Sequence, residues 1–73
     1  MTRKLDETKA KWPQIAAALE REIAAMPSGE RLPGALALSE EWGVSLTVAR
    51  KALADLRERG LIRTENGIGT FVA

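Results

Sequence analysis

Gly43-Val44-Ser45 separates two apolar-periodic stretches and narrows the choice of fold more than any other tripeptide in the chain. A glycine just past a helix end takes the left-handed conformation that stops the helix at little steric cost. Ser45 is a good N-cap, since its hydroxyl accepts a hydrogen bond from an orphan backbone N–H of the helix that follows. Beyond it Ala49, Ala52, Leu53 and Leu56 recur at three- and four-residue spacing, which is one apolar face of a helix. Ahead of it ALALSEEW predicts a two-turn helix with Leu38 and Trp42 as core candidates. Trp42 reads as core rather than as a base-stacking platform, because tryptophan is highly buried on average. Helix, tight turn and capped second helix make a helix-turn-helix, whose second helix presents Leu46, Thr47, Arg50 and Lys51 on its outer face.

Length and composition exclude much else. Seventy-three residues make one domain, and a chain this short buries only about 60% of its unfolded surface. With no cysteine and no histidine, disulfides, thiolate metal sites and imidazole catalysis are ruled out. No nucleophile has a visible base, and the carboxylate pairs Asp6/Glu7 and Glu40/Glu41 are adjacent, so they project to different sides of a helix. A non-enzyme without cofactor is expected. The charged N-terminus has no apolar stretch behind it of the kind a signal peptide needs. No apolar run approaches the ~20 residues of a membrane span, so a cytoplasmic protein is expected. The net charge of +1, from 11 basic and 10 acidic side chains, is low for a nucleic-acid-binding domain. Only a local clustering of positive charge would favour such a partner.

Residues 1–11 read as a charged tail or a frayed helical extension, whose Arg3, Lys4, Lys9 and Lys11 could reach phosphates as an arm. Trp12-Pro13 opens the domain proper, taken as residues 12–73, with Pro13 expected at the first helical position. Ile15, Leu19, Ile23 and Met26 follow at helical spacing until Pro27-Ser28-Gly29 ends the helix. Leu32 precedes Pro33 and is pushed towards extended geometry, so this short segment could join a later hairpin as a third strand. After Leu56 the helix runs out through Arg57-Glu58-Arg59, with basic residues near its negative end, and Gly60 terminates it. Residues 61–64 and 70–72 flank Asn66-Gly67, the strongest short hairpin signal. Ile68 and Gly69 complete or bulge the turn, and Phe71 and Val72 are expected to cover the helices. Three helices followed by a two- or three-stranded hairpin define a mainly α fold, the winged helix-turn-helix.

Leu32-Pro33, Leu38, Gly43-Val44-Ser45, Arg50, Ala52-Leu53, Leu56, Gly60-Leu61-Ile62 and Gly67-Ile68-Gly69-Thr70-Phe71-Val72 together resemble the DNA-binding domain of GntR-type transcriptional regulators. Gln14-Ile15 and Leu19 fit the opening of that domain's first helix. The resemblance covers nearly the whole chain after residue 11. It implies a bacterial regulator that binds operator DNA, usually as a dimer on a palindrome. It also implies a C-terminal effector-binding and dimerising domain. This chain ends at Val72-Ala73, where the family's linker would begin, so no small-molecule effector domain is expected within it, whether it is a piece of a longer regulator or a minimal relative without a sensor.

The departures from the family pattern fall mostly on the DNA side. Gly34 stands where a small hydroxyl residue is typical, and Leu36 where an arginine or other polar residue is common. Leu46 replaces a base-reading arginine, Val48 a second threonine, and Glu65, Asn66 and Ile68 a basic wing tip. The connection after the first helix is also shorter than usual. What remains of the contact set is Ser45, Thr47, Arg50 and the Gly67 backbone, with Leu46, Lys51 and Asn66 as additions. Arg50 is expected to contact a phosphate or to bond guanine O6 and N7 in bidentate fashion. Lys51 either joins it or faces Asp55 one turn on. Exposed aliphatic side chains on such a helix meet thymine methyl groups. The alternative function is a protein-docking module in which Leu36, Leu46, Val48 and Ile68 form an apolar patch for a partner protein or a homodimer seam.

Overall fold

A computed structural model describes residues 4–73 as three helices and a small antiparallel sheet. Arg3 lies outside the described residues, and with it part of the proposed basic arm. In chain order the elements are α1 (Lys11–Ile23), β1 (Arg31–Leu32), α2 (Ala35–Trp42), α3 (Leu46–Glu58), β2 (Ile62–Glu65) and β3 (Gly69–Val72). This is the winged helix-turn-helix that the spacing of apolar residues implies.

Residues 7–9 form a turn, not a helical extension, and half-buried Leu5 packs against the core. Gln14 holds this segment in place. Its side chain accepts from the Asp6 backbone N–H at 2.7 Å and donates to the carbonyls of Asp6 at 2.8 Å and Ala10 at 3.0 Å. The Asp6 carboxylate in turn accepts from the Thr8 hydroxyl and backbone N–H, which lowers its pKa. Helix α1 starts at Lys11, so Pro13 occupies its third position rather than its first. The first-turn N–H groups of a helix have no intrahelical partner, so proline costs no hydrogen bond there either. The helix also ends at Ile23, ahead of Pro27-Ser28-Gly29, and single turns carry the chain through Met26. Met26 packs against the core from that turn instead of from the helix.

The core gathers Ile15, Leu19 and Ile23 of α1, Leu38 and Trp42 of α2, and Ala49, Ala52, Leu53 and Leu56 of α3. Leu32, Ile62 and Val72 close it from the sheet side. Alanines at 49 and 52, both fully buried, let α3 lie close against its neighbours, since close packing leaves no room for larger groups there. Trp42 is 5% exposed; it belongs to the core and offers no face to a base.

Gly43 ends α2 with φ +66°, a conformation that costs most other residues about 1 kcal/mol or more. The Val44 N–H returns to the Ser39 carbonyl at 3.0 Å. Ser45 then caps α3, its hydroxyl accepting from the Val48 N–H at 3.2 Å. Ser45→Ala should therefore cost about 1 kcal/mol of stability whatever the domain binds, measured as a lower midpoint in urea unfolding with an unchanged slope. An unchanged midpoint would show that the hydroxyl contributes nothing as a cap. At its far end α3 closes with the Leu61 N–H on the Leu56 carbonyl and the Gly60 N–H on the Arg57 carbonyl, both 3.0 Å. That paired arrangement satisfies carbonyls that the helix leaves open.

In the sheet β3 is central, with β1 and β2 on either side. The expected third strand is present, Arg31 opposite Phe71 and Leu32 opposite Thr70. The hairpin loop has three residues, Asn66 to Ile68, with Glu65 and Gly69 as the last pair. Among the described residues only glycines have positive φ, so Asn66 does not adopt the two-residue mirror-image turn that Asn-Gly favours. Phe71 does not cover the helices. Strand alternation turns Thr70 and Val72 inward and Phe71 outward, where the guanidinium groups of Arg63 and Arg31 sit 5.1 and 6.0 Å from its ring centre.

Candidate nucleic-acid interface

The turn at Gly43 and the cap at Ser45 set the start of α3 at the molecular surface. Ala49 and Ala52 take its inner side, so the helical period places Thr47, Arg50 and Lys51 outside, all three exposed. Ser45 is exposed beside them, and Leu46 is 38% exposed. The expected helix residues thus share the first turns of α3. Val48 is half-buried and packs against the core, which removes it from any free apolar patch.

Charge on this face is available because acidic neighbours are engaged elsewhere. Asp55 accepts from Arg59 at 2.8 Å, so it does not pair with Lys51 one turn before it. Arg59 also reaches Glu20 of α1 at 2.8 Å, and that bond, with Asp55 alongside, raises the guanidinium pKa above its ordinary value. Among the described residues neither Arg50 nor Lys51 has a hydrogen-bond or ion-pair partner. The near-neutral chain therefore keeps two uncompensated cations on one exposed helix face, which is the local clustering that its overall charge conceals.

The wing carries Asn66 and Gly67 at its tip, both exposed. Its shape depends on Arg31, which sequence reasoning overlooked. The Arg31 guanidinium crosses the sheet and donates to the Ile68 carbonyl at 2.6 Å. A Cβ on Gly69 would stand 3.0 Å from that guanidinium, and the backbone there has φ +155°, which side-chain-bearing residues rarely adopt. Glu65, at the wing's edge, is bonded to Arg63 at 2.7 Å on the Phe71 side of the sheet.

A second overlooked feature lies between α3 and the wing. Arg50, Arg57, Thr64 and Thr70 surround a cleft of about 440 Å³ floored by Leu53 and Ala54. Arg57 follows Arg50 by seven residues, two helical turns, which would have flagged it as a neighbour on the same face. The remaining exposed aliphatics, Leu36 at 63% and Ile68 at 61%, sit at the start of α2 and the wing tip. Among the described residues no acidic cluster could hold a metal ion, and no helix is long and apolar enough to cross a membrane.

Residues 12–72 match the family of bacterial regulatory proteins named gntR. The chain is 38% identical over 61 residues to the HTH-type transcriptional regulator SmoD of Agrobacterium fabrum, covering 81% of this chain and 26% of that protein. It is 54% identical over 46 residues to the putative HTH-type transcriptional regulator RmpR of Mycobacterium gastri, 60% of this chain and 17% of that one. The chain thus spans only about a quarter of one of these relatives and about a sixth of the other. A GntR family regulator from Listeria monocytogenes superposes with a TM-score of 0.88 at 27% identity, over 94% of this chain and 62% of that one. The AraR DNA-binding domain, in a crystal structure with its operator ORX1, superposes at 0.80 and 28% identity over 100% of this chain and 92% of that one. The chain belongs to the gntR family of bacterial regulatory proteins and forms that family's winged helix-turn-helix DNA-binding domain.

Proposed function

We propose that the chain reads operator DNA for a transcriptional regulator, with α3 in the major groove and the wing along the minor groove or backbone. The observation that carries this reading is the pair of unpartnered cations, Arg50 and Lys51, beside Thr47 on the exposed face of the capped α3. Thr47 and Arg50 offer donors to base edges or phosphates, and the open N–H groups at the start of α3 favour an anion. Leu46 meets a thymine methyl where an arginine would have taken guanine. Asn66 and Gly67 bring the wing backbone to the minor-groove side. The protein works in the cytoplasm at the nucleoid.

Few cations are available to one domain, so affinity for one half-site is modest. Two copies on a palindrome restore it, with half-site centres about one helical turn, ~34 Å, apart.

The reading is tested by a fluorescence titration of the domain with random-sequence duplex DNA across a salt series. The logarithm of the association constant should fall linearly with the logarithm of salt concentration, by about 0.9 per phosphate neutralised. Three contacts correspond to a slope of about −2.7. Absence of binding at low salt would overturn the DNA reading and favour a protein partner for Leu36, Leu46 and Ile68.

A further inference from the structure

The cleft between α3 and the wing has a one-sided chemistry. All four polar side chains lining it, those of Arg50, Arg57, Thr64 and Thr70, can donate hydrogen bonds, and no carboxylate lines it. This follows from the register of the wing. Thr64 and Thr70 stand opposite each other on adjacent strands, and alternation sends their neighbours Arg63, Glu65 and Phe71 to the far side. Glu65, the only acidic residue of β2, is occupied there by Arg63.

Arg57 is the cation best placed within this cleft. It is exposed, and no carboxylate pairs with it among the described residues. Its single bond to the wing, Nη1 donating to the Thr64 hydroxyl at 3.4 Å, is long and leaves most of the five guanidinium N–H groups available. The Thr70 side chain, on a residue only 8% exposed, lies at the base of the cleft.

A domain with a helix in the major groove and a hairpin at the minor groove straddles the sugar-phosphate strand that divides the two. That strand must pass between α3 and the wing. Resting on the DNA reading above, we infer that the cleft seats a backbone phosphate of this strand, held by the Arg57 guanidinium with the Thr64 hydroxyl beside it. Arg57 contributes affinity and register without reading sequence, since phosphate contacts position a protein on the duplex and base contacts specify.

The experiment compares the parent domain with Arg57→Ala, Arg57→Lys and Arg21→Ala by fluorescence anisotropy on random-sequence duplex across a salt series. Circular dichroism confirms that each variant is folded. Arg21 is an exposed cation of α1 that does not line the cleft. Arg57→Ala should reduce the magnitude of the salt slope by about 1. Arg57→Lys should keep the parent slope because it keeps the charge, and Arg21→Ala should leave it unchanged. A parent-like slope for Arg57→Ala, or an equal loss for Arg21→Ala, would remove the phosphate seat while leaving DNA binding intact. Failure of the parent itself to bind would overturn the DNA reading and the seat together.

Discussion

Leu56→Ala should lower the unfolding free energy by about 2–5 kcal/mol, among the largest single-residue effects expected on stability. Leu56 is fully buried, at 0% exposure, in the helix that packs against α1, α2 and β2. Truncation there removes apolar contacts and leaves a cavity that its neighbours fill only in part. At roughly 0.05–0.15 kcal/mol per residue, a domain of this size has about 4–11 kcal/mol in total. The variant should therefore populate the unfolded state visibly at room temperature or in low urea. Urea denaturation followed by circular dichroism measures it, with Leu36→Ala as the comparison. Leu36 is 63% exposed, and its loss should change stability by no more than about 0.5 kcal/mol. Similar midpoints for the two variants would mean that α3 is not the spine of the core.

Arg50→Ala should weaken binding to a selected operator by about 1–3 kcal/mol, roughly 5- to 150-fold, with little change in stability. Stability is spared because the Arg50 side chain is exposed and has no hydrogen-bond or ion-pair partner among the described residues. An operator selected from a random library and a random duplex separate its two candidate roles. A loss confined to the operator means that Arg50 reads a base, and lysine should then fail to rescue it, since an ammonium lacks the bidentate fork. An equal loss on both duplexes, rescued by lysine, means a phosphate contact. Operator affinity equal to that of the parent would remove Arg50 from the interface. Arg50 and Arg57 sit on one face of the same helix, so their losses are not expected to add independently.

Much of the domain was legible in the sequence because its signals are local. The left-handed stop at Gly43, the Ser45 cap and the apolar spacing from Ala49 to Leu56 each depend on a few adjacent residues, and all three appear in the structure. The exposure of Thr47, Arg50 and Lys51 follows from the same period. The sequence is less decisive where several positions suit one residue, or where distant parts of the chain decide. Pro13 fits the third position of α1 as readily as the first, since the N–H groups of the whole first turn lack an intrahelical partner. Asn66-Gly67 correctly marked a hairpin. Ile68 completes its loop, as its place after Asn-Gly implies, whereas the hold of Arg31, from another strand, on the Ile68 carbonyl is not local to the hairpin. Phe71 was assigned inward by its hydrophobicity, but the register of β3 turned it out between two arginines. A one-residue difference in register reverses every side chain of a strand, and sequence composition alone does not specify it.

By itself, then, the sequence determined the helices, the turn between α2 and α3, the hairpin and the family, because capping, period and turn chemistry act over a few residues. Only the tertiary structure decided which charges are free. Arg59 draws Asp55 away from Lys51 and joins it to Glu20 across the fold, and Arg63 holds Glu65 on the far side of the wing. The cleft of Arg50, Arg57, Thr64 and Thr70 likewise exists only once the wing is folded beside α3. Electrostatic pairing depends on distance in space, and a chain with 11 basic and 10 acidic side chains acquires a basic face only when folding sets those distances.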